Sequence, residues 1–327
     1  MSGNTTANSS ALRRSLVYSQ LILDVIKDQF LPDGIHRDVS DFQDGDTLKV
    51  ITFGDVTLRD IQEDEDTPVD ALDSGQISLT ISQYVGSGLY MTDKVKQDSY
   101  KAAQFDAAFV PKQLRAIKER YETDLLKTVP AGQTVSNPND INGFAHRWVA
   151  NGTNQILTLQ DIIYAKLAFD KVFLPDQGRI LIVDPVVEAT LNGLTNLVNV
   201  SLNPHFEGIV NTGFAKNMRF IKNIFGFDIF VSNRLQQTAS ETVNASSITT
   251  PPPSSSATVT TGVMNVAMCV ADDTITPIMG AWRQQPKTEP FRNVRKRRDE
   301  YYTTARWGFG TQRPQSGLTI LTSRSHY

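Results

Sequence analysis

Hydrophobic and polar positions along the chain change their spacing several times, and each change marks an element. Near the N-terminus Tyr18, Leu21, Ile22 and Val25 fall at helical steps, with Ser19, Gln20 and Asp24 between them. That spacing predicts an amphipathic helix over about 13–30, stopped by Pro32-Asp33-Gly34. Over 46–61 the period becomes two. Leu48, Val50 and Thr52 alternate with Lys49, Ile51 and Phe53, and Val56 and Leu58 resume the alternation after Gly54-Asp55, which predicts a hairpin inside this stretch. The acidic segment Glu63-Asp64-Glu65-Asp66, with Asp70 and Asp73, reads as a loop. A further strand follows, with Ile77, Leu79 and Ile81 on one face and Ser78, Thr80 and Ser82 on the other. Little neighbouring sequence is available to bury these strands, so they predict a long ribbon projecting from the body.

From 98 to 129 the helical period returns in Ala103, Ala107, Val110, Leu114, Ile117, Tyr121 and Leu125. Roughly 30 helical residues make a rod of about 45 Å, and Pro111 predicts a kink near Ala107. The next region reads as an α/β unit. Thr158 and Asp161 form a capping-box pattern ahead of Ile162, Ile163, Leu167 and Phe169. The run RILIV at 179–183 is a buried-type strand, and Asp184-Pro185 supplies an N-cap and first-turn proline for a helix to Leu194. Residues 195–217 read as loop, and 220–231 as strand or hairpin. Residues 236–262 are biased toward Ser, Thr and Pro and predict an exposed insertion. Strand patterns resume over 264–270, 301–306 and 318–321.

Composition narrows the class. With 327 residues, 40% of them hydrophobic, the chain can bury a sizeable core. A net charge of −3 gives no global basic excess, so any nucleic-acid contact must come from a local patch. Cys269 is the only cysteine, which rules out a disulfide within the chain and weighs against a thiolate zinc site. Arg13 and Arg14 before an apolar stretch imitate a signal peptide, but Ser19, Gln20 and Asp24 interrupt it, and no run is long enough to span a bilayer.

Candidate chemistry is sparse. His36, His146, His205 and His326 lie far apart and form no ligand pair, and Cys269 sits in the apolar strand MNVAMCV, where a buried inert thiol is expected. Asp272-Asp273 and the acidic segment lack the spacing of a calcium loop. Gly86-Ser87-Gly88 lacks the lysine of a phosphate loop, and no GxSxG elbow occurs. No catalytic, cofactor or metal residue is therefore assigned, and no enzyme activity is expected.

The order of elements carries more information. The ribbon GDTLKVITFGDVTLRDI, the helix QFDAAFVPKQLRAIKERYETDLL, the segments RILIVDPVVEATL and IFGFDIFVSNRL, and the C-terminal DEYYTTARWGFGTQRPQSGLTIL together resemble the major capsid proteins of tailed phages. Their fold, the Hong Kong phage fold, is shared with encapsulin shells. The resemblance covers most of 15–322 and lies in arrangement more than in motif. It implies an α+β fold with an N-terminal arm (1–44), an extended β-loop (45–94), a spine helix and peripheral domain (95–130 and 275–327), and an apical domain (131–274) carrying the insertion 236–262. It further implies a structural protein of the virion, assembled in the host bacterial cytoplasm into pentamers and hexamers of an icosahedral shell. Portal, scaffolding or decoration proteins and packaged double-stranded DNA would be the partners, with no membrane. An encapsulin-type nanocompartment and an unrelated soluble α/β enzyme are the alternatives. Some members of the family cross-link a loop lysine to a neighbour; here 60–75 contains no lysine, and Lys49 lies at the ribbon's base, which argues against it.

Two charge clusters are candidates for contact between subunits. Glu63, Asp64, Glu65, Asp66 and Asp70 form the acidic one; Arg292, Arg295, Lys296, Arg297 and Arg298, with Lys287 nearby, form the basic one. Three readings stay open: docking of the acidic segment on a neighbour's basic run, phosphate contacts with DNA, or a solvated strand edge kept soluble by its charge.

Overall fold

The computed structural model describes residues 31, 34–40, 45, 47–53, 60, 74–98, 102–133, 140–141, 144–193, 223–243 and 257–325. The helix expected over 13–30, the acidic segment and the 195–217 loop lie outside the described residues. Four strands come first: β1 (Arg37–Asp38), β2 (Thr47–Phe53), β3 (Ser74–Thr80) and β4 (Gln83–Thr92). Helix α1 (Asp93–Asp98) and the long α2 (Ala102–Ala131) follow, α2 being assigned unbroken past Pro111 and Pro130.

The middle of the chain contributes β5 (Asp140–Ile141), β6 (Phe144–Ala145), β7 (Arg147–Val149), α3 (Leu159–Lys171), β8 (Arg179–Val183) and α4 (Pro185–Gly193). Then come β9 (Asn223–Ile224), β10 (Phe227–Val231), β11 (Gln237–Val243) and β12 (Ala257–Cys269). Three strands close the chain: β13 (Ile278–Asn293), β14 (Arg298–Thr311) and β15 (Gly317–Ser323).

Local chemistry fixes several of these elements. At the start of α3 the Thr158 hydroxyl accepts from the Asp161 amide while the Asp161 carboxylate accepts from the Thr158 amide at 2.9 Å, the expected capping box. Asp184 accepts from the Val186 amide at 3.1 Å and opens α4 in the same way. Phe225 (φ 51°) and Gly226 (φ 88°) make the two-residue turn between β9 and β10, where positive φ at both positions matches the strand twist.

Seven strands form one sheet in the order β7-β15-β12-β8-β10-β9, with β11 also paired to β12. All five residues of β8 are buried, because helices cover both faces of this sheet. Leu181 and Val183 face α3 and α4, packing with Ile162, Phe169, Val187, Leu191 and Phe227. Ile180 and Ile182 face the other way, onto Leu125, Leu126 and Val129 of α2. Each such side chain contributes about 1.5–3 kcal/mol through burial.

The second sheet has the order β1-β13-β14-β4. Helix α2 covers one of its faces, so the same rod supports both sheets. Ile117 packs with Ala305 and Trp307, and the Tyr121 ring stacks on Trp282 with centroids 4.3 Å apart. The Tyr121 hydroxyl also meets His36 Nε2 at 2.9 Å, which ties β1 to the helix.

The ribbon differs from its sequence-based expectation in two ways. β2 pairs antiparallel with β3, from Thr47↔Thr80 to Phe53↔Ser74, so the partner of 47–53 is 74–80 and not 56–58. Its apolar face is also partly covered by its own chain: Leu48, Val50, Ile77, Leu79 and Ile81 pack on Met279 and Ala281 of β13. Leu79 is fully buried, while Ile51 on the opposite face is 67% exposed. Gly308 permits this approach, since a Cβ there would lie 2.5 Å from the Thr80 carbonyl oxygen. The insertion expected over 236–262 is a second correction. Its flanks are strands, β11 and the first half of β12, with Val243 and Val259 buried between them. Alternating Thr and Val favour extended backbone more than the Ser/Thr bias suggests.

Candidate functional site

The basic run folds into the hairpin of β13 and β14. Asn293 Oδ1 accepts from the Lys296 amide at 3.2 Å, and Arg297 adopts φ 47°, which closes the turn. The structure then separates the run into two kinds of cation. Arg292 grips Asp93 of α1 with two bonds of 2.6 Å and Asp299 with a third of 2.7 Å. Lys96 also pairs with Asp299, and the Asp93 amide donates to the Arg297 carbonyl at 3.0 Å, so α1 is stapled to the turn end of the hairpin. Hydrogen bonds from Arg292 hold the Asp93 carboxyl below its ordinary range, and bonds from Lys96 and then Arg292 do the same for Asp299.

Arg298 bonds Glu300 at 2.5 Å and lies over the Tyr90 ring, 4.3 Å from its centroid. Glu300 is buried and also accepts from Tyr302 and Asn293. The bond from Tyr302, then that from Arg298, brings its pKa down to about 2. Lys287 pairs with Glu289. Arg295, Lys296 and Arg297 are exposed and make no ion pair among the described residues. Of the five basic candidates, two are neutralised inside the chain and three are presented at the hairpin tip. The acidic candidates Glu63, Asp64, Glu65, Asp66 and Asp70 lie outside the described residues. Sequence reasoning missed Asp93 and Lys96, which join the site from about 200 positions away and carry no local signal.

A second ionic feature fixes the other half. Arg147 is buried at the end of α2, donating to the Pro130 carbonyl at 3.0 Å and pairing with Glu241 of β11, whose side chain is 8% exposed. An open groove of about 360 Å³ runs between Ser82-Gln83, the α2 residues Arg120, Asp124 and Lys127, and Gly310-Thr311; its lining holds no histidine or cysteine. No cluster of three potential metal ligands occurs among the described residues. No described helix is long and apolar enough to cross a membrane.

The fold thus joins one long helix to two sheets, with a β-ribbon laid against β13 and a cationic hairpin tip. The family described as phage capsid protein matches residues 75–320, three quarters of the sequence, and the chain belongs to that family. It is a major capsid structural protein of the phage virion. No curated protein matches the chain. Among solved structures, the capsid of the cyanophage P-SCSP1u is similar at TM-score 0.68 and 14% identity, over 95% of this chain and 93% of that one. A chain of Mycobacterium phage Che8 is similar at TM-score 0.64 and 13% identity, over 93% and 96%. The mature capsid of bacteriophage PhiM1 is similar at TM-score 0.63 and 14% identity, over 99% and 100%. The expected α+β capsid fold is thus found. Neither the encapsulin-type shell nor the soluble enzyme is favoured.

Proposed function

We propose that this chain assembles into pentamers and hexamers of an icosahedral phage head that encloses double-stranded DNA. Assembly takes place in the host cytoplasm, with a portal and with any separate scaffolding or decoration proteins. In this reading 1–44 is the N-terminal arm and 45–94 the extended loop. Residues 95–130 with 275–327 form the peripheral domain, and 131–274 the apical domain. The observation that carries the reading is the family match over 75–320, joined to similarity with whole capsid chains over nearly their full length.

The exposed cations Arg295, Lys296 and Arg297 are assigned to contacts between subunits, with the acidic segment 63–66 and Asp70 of a neighbour as their partner. Such pairing sets register and assembly rate more than total affinity. Contact with packaged DNA is non-specific, through phosphates. Electron microscopy of particles purified from expressing cells, with assay of their contents, tests the proposal. Closed shells with five- and six-fold capsomers support it. A small closed oligomer, or shells whose constant content is a cargo enzyme, contradicts it.

A further inference from the structure

The two edges of the four-stranded sheet are built differently. On the β13 edge, β1 pairs only with Met279 and Gly280, and beyond Trp282 no other described strand lies along the outer side of β13, whose inner side pairs with β14 to Asn293. That stretch carries Arg283, Lys287, Glu289 and Arg292, contains Pro286 and Pro290, and has irregular register at Trp282/Gln284 and Gln284/Lys287. Charges, prolines and bulges are the devices by which a strand edge is kept from pairing with another chain. This edge is defended.

The opposite edge is β4, QYVGSGLYMT, and it has none of these devices. It contains no charged residue and no proline, and it pairs with β14 in unbroken register from Gln83↔Trp307 to Thr92↔Arg298. It is ten residues long, at the upper end of strand lengths. Among the described residues no backbone group of another strand pairs with its outer side. Its outward-facing positions alternate Tyr84, Gly86, Gly88 and Tyr90, all exposed, and beside them on the same face stands Tyr302, paired with Gly88. The two glycines let the neighbouring strand's side chains lie close over β4: a Cβ at Gly88 would stand 3.0 Å from the Tyr302 ring, and one at Gly86 would stand 3.3 Å from Thr304. An uncharged edge of this length, in unbroken register and with no described strand on its outer side, is an aggregation liability in a solitary protein, and natural sheets remove it.

We propose that the outer edge of β4 is an acceptor for an extended segment of a second copy of this chain, which adds a further strand to the sheet. Main-chain hydrogen bonds along β4 hold the incoming strand, and the Tyr84 and Tyr90 rings flank alternate side chains of it. The asymmetry of the sheet gives such assembly its direction: the undefended edge takes the strand, and the β13 edge refuses one. This rests on the capsid reading, which supplies the neighbouring copies.

Amide hydrogen exchange on the full chain, compared between assembled particles and unassembled subunits, tests it. In particles, the outward amides of 83–92 slow by at least about tenfold, while 284–293 exchanges as in the free subunit. Particles in which 83–92 exchanges at the free-subunit rate overturn the strand addition and leave the capsid reading standing. A neighbour that merely covers the Tyr84/Tyr90 face without pairing gives that same unprotected result. A chain that forms no particles overturns both.

Discussion

The seven-stranded sheet and the four-stranded sheet are supported by the same helix, yet one is finished and the other is not. In the first, β8 is buried end to end between α2 on one side and α3 with α4 on the other. In the second, α2 covers one face, while the other exposes Tyr84, Tyr90, Phe291 and Tyr302, and the attached ribbon exposes Ile51. Burial follows the supply of covering elements: the middle of the chain provides its own, and the outer sheet does not. The first region is covered within the chain, whereas the second, on the proposal above, is completed by other copies.

That contrast can be broken most severely at the buried ion pair. Glu241→Ala leaves the Arg147 guanidinium buried without its carboxylate, which costs about 3–5 kcal/mol. Urea unfolding of the unassembled subunit measures it, and a loss under about 1 kcal/mol would show that the pair is dispensable to the closed region. A milder cut in the same region is Thr158→Ala, which removes half of the capping box at α3 and costs about 1 kcal/mol by the same assay.

In the open region the expected effects on folding are small. Glu300 has its pKa lowered from an ordinary 4.5 to about 2 by Tyr302 and Arg298. Because the folded value is the lower one, its contribution is present above pH 4.5 and is lost as pH falls toward 2. Glu300→Gln should flatten that part of the stability profile; a wild-type profile already flat there contradicts the assignment. Smallest of all, replacing Arg295, Lys296 and Arg297 together by Gln changes folding stability by no more than about 0.5 kcal/mol. It should nonetheless slow assembly and weaken its dependence on salt. Unchanged assembly kinetics across salt concentrations would remove the tip from the list of contacts.

The same division governs what was legible in the sequence. RILIV, the Thr158/Asp161 box and Asp184-Pro185 announce themselves because their causes are local: a continuous apolar run, a three-residue reciprocal bond, a fixed φ. The ribbon was visible as alternation, but its register was not, since β2 finds its partner in β3 and its cover in β13, more than 200 residues on. β13 itself escaped notice because its prolines and charges, which defend its edge, also mask the strand pattern. Of the candidate site, the density of positive charge was plain. Which cations are spent on Asp93 and Asp299 depends on tertiary contacts that no local pattern encodes.

The central claim is that the outer sheet and ribbon are covered by neighbouring copies while the seven-stranded sheet keeps the structure it has alone. A reconstruction of the assembled particle tests this most directly. The account predicts that chain from another subunit lies against the β4 edge and the ribbon, with the core around β8 unchanged. A particle in which β4 and the ribbon face only solvent, or a chain that remains monomeric at high concentration, would contradict it.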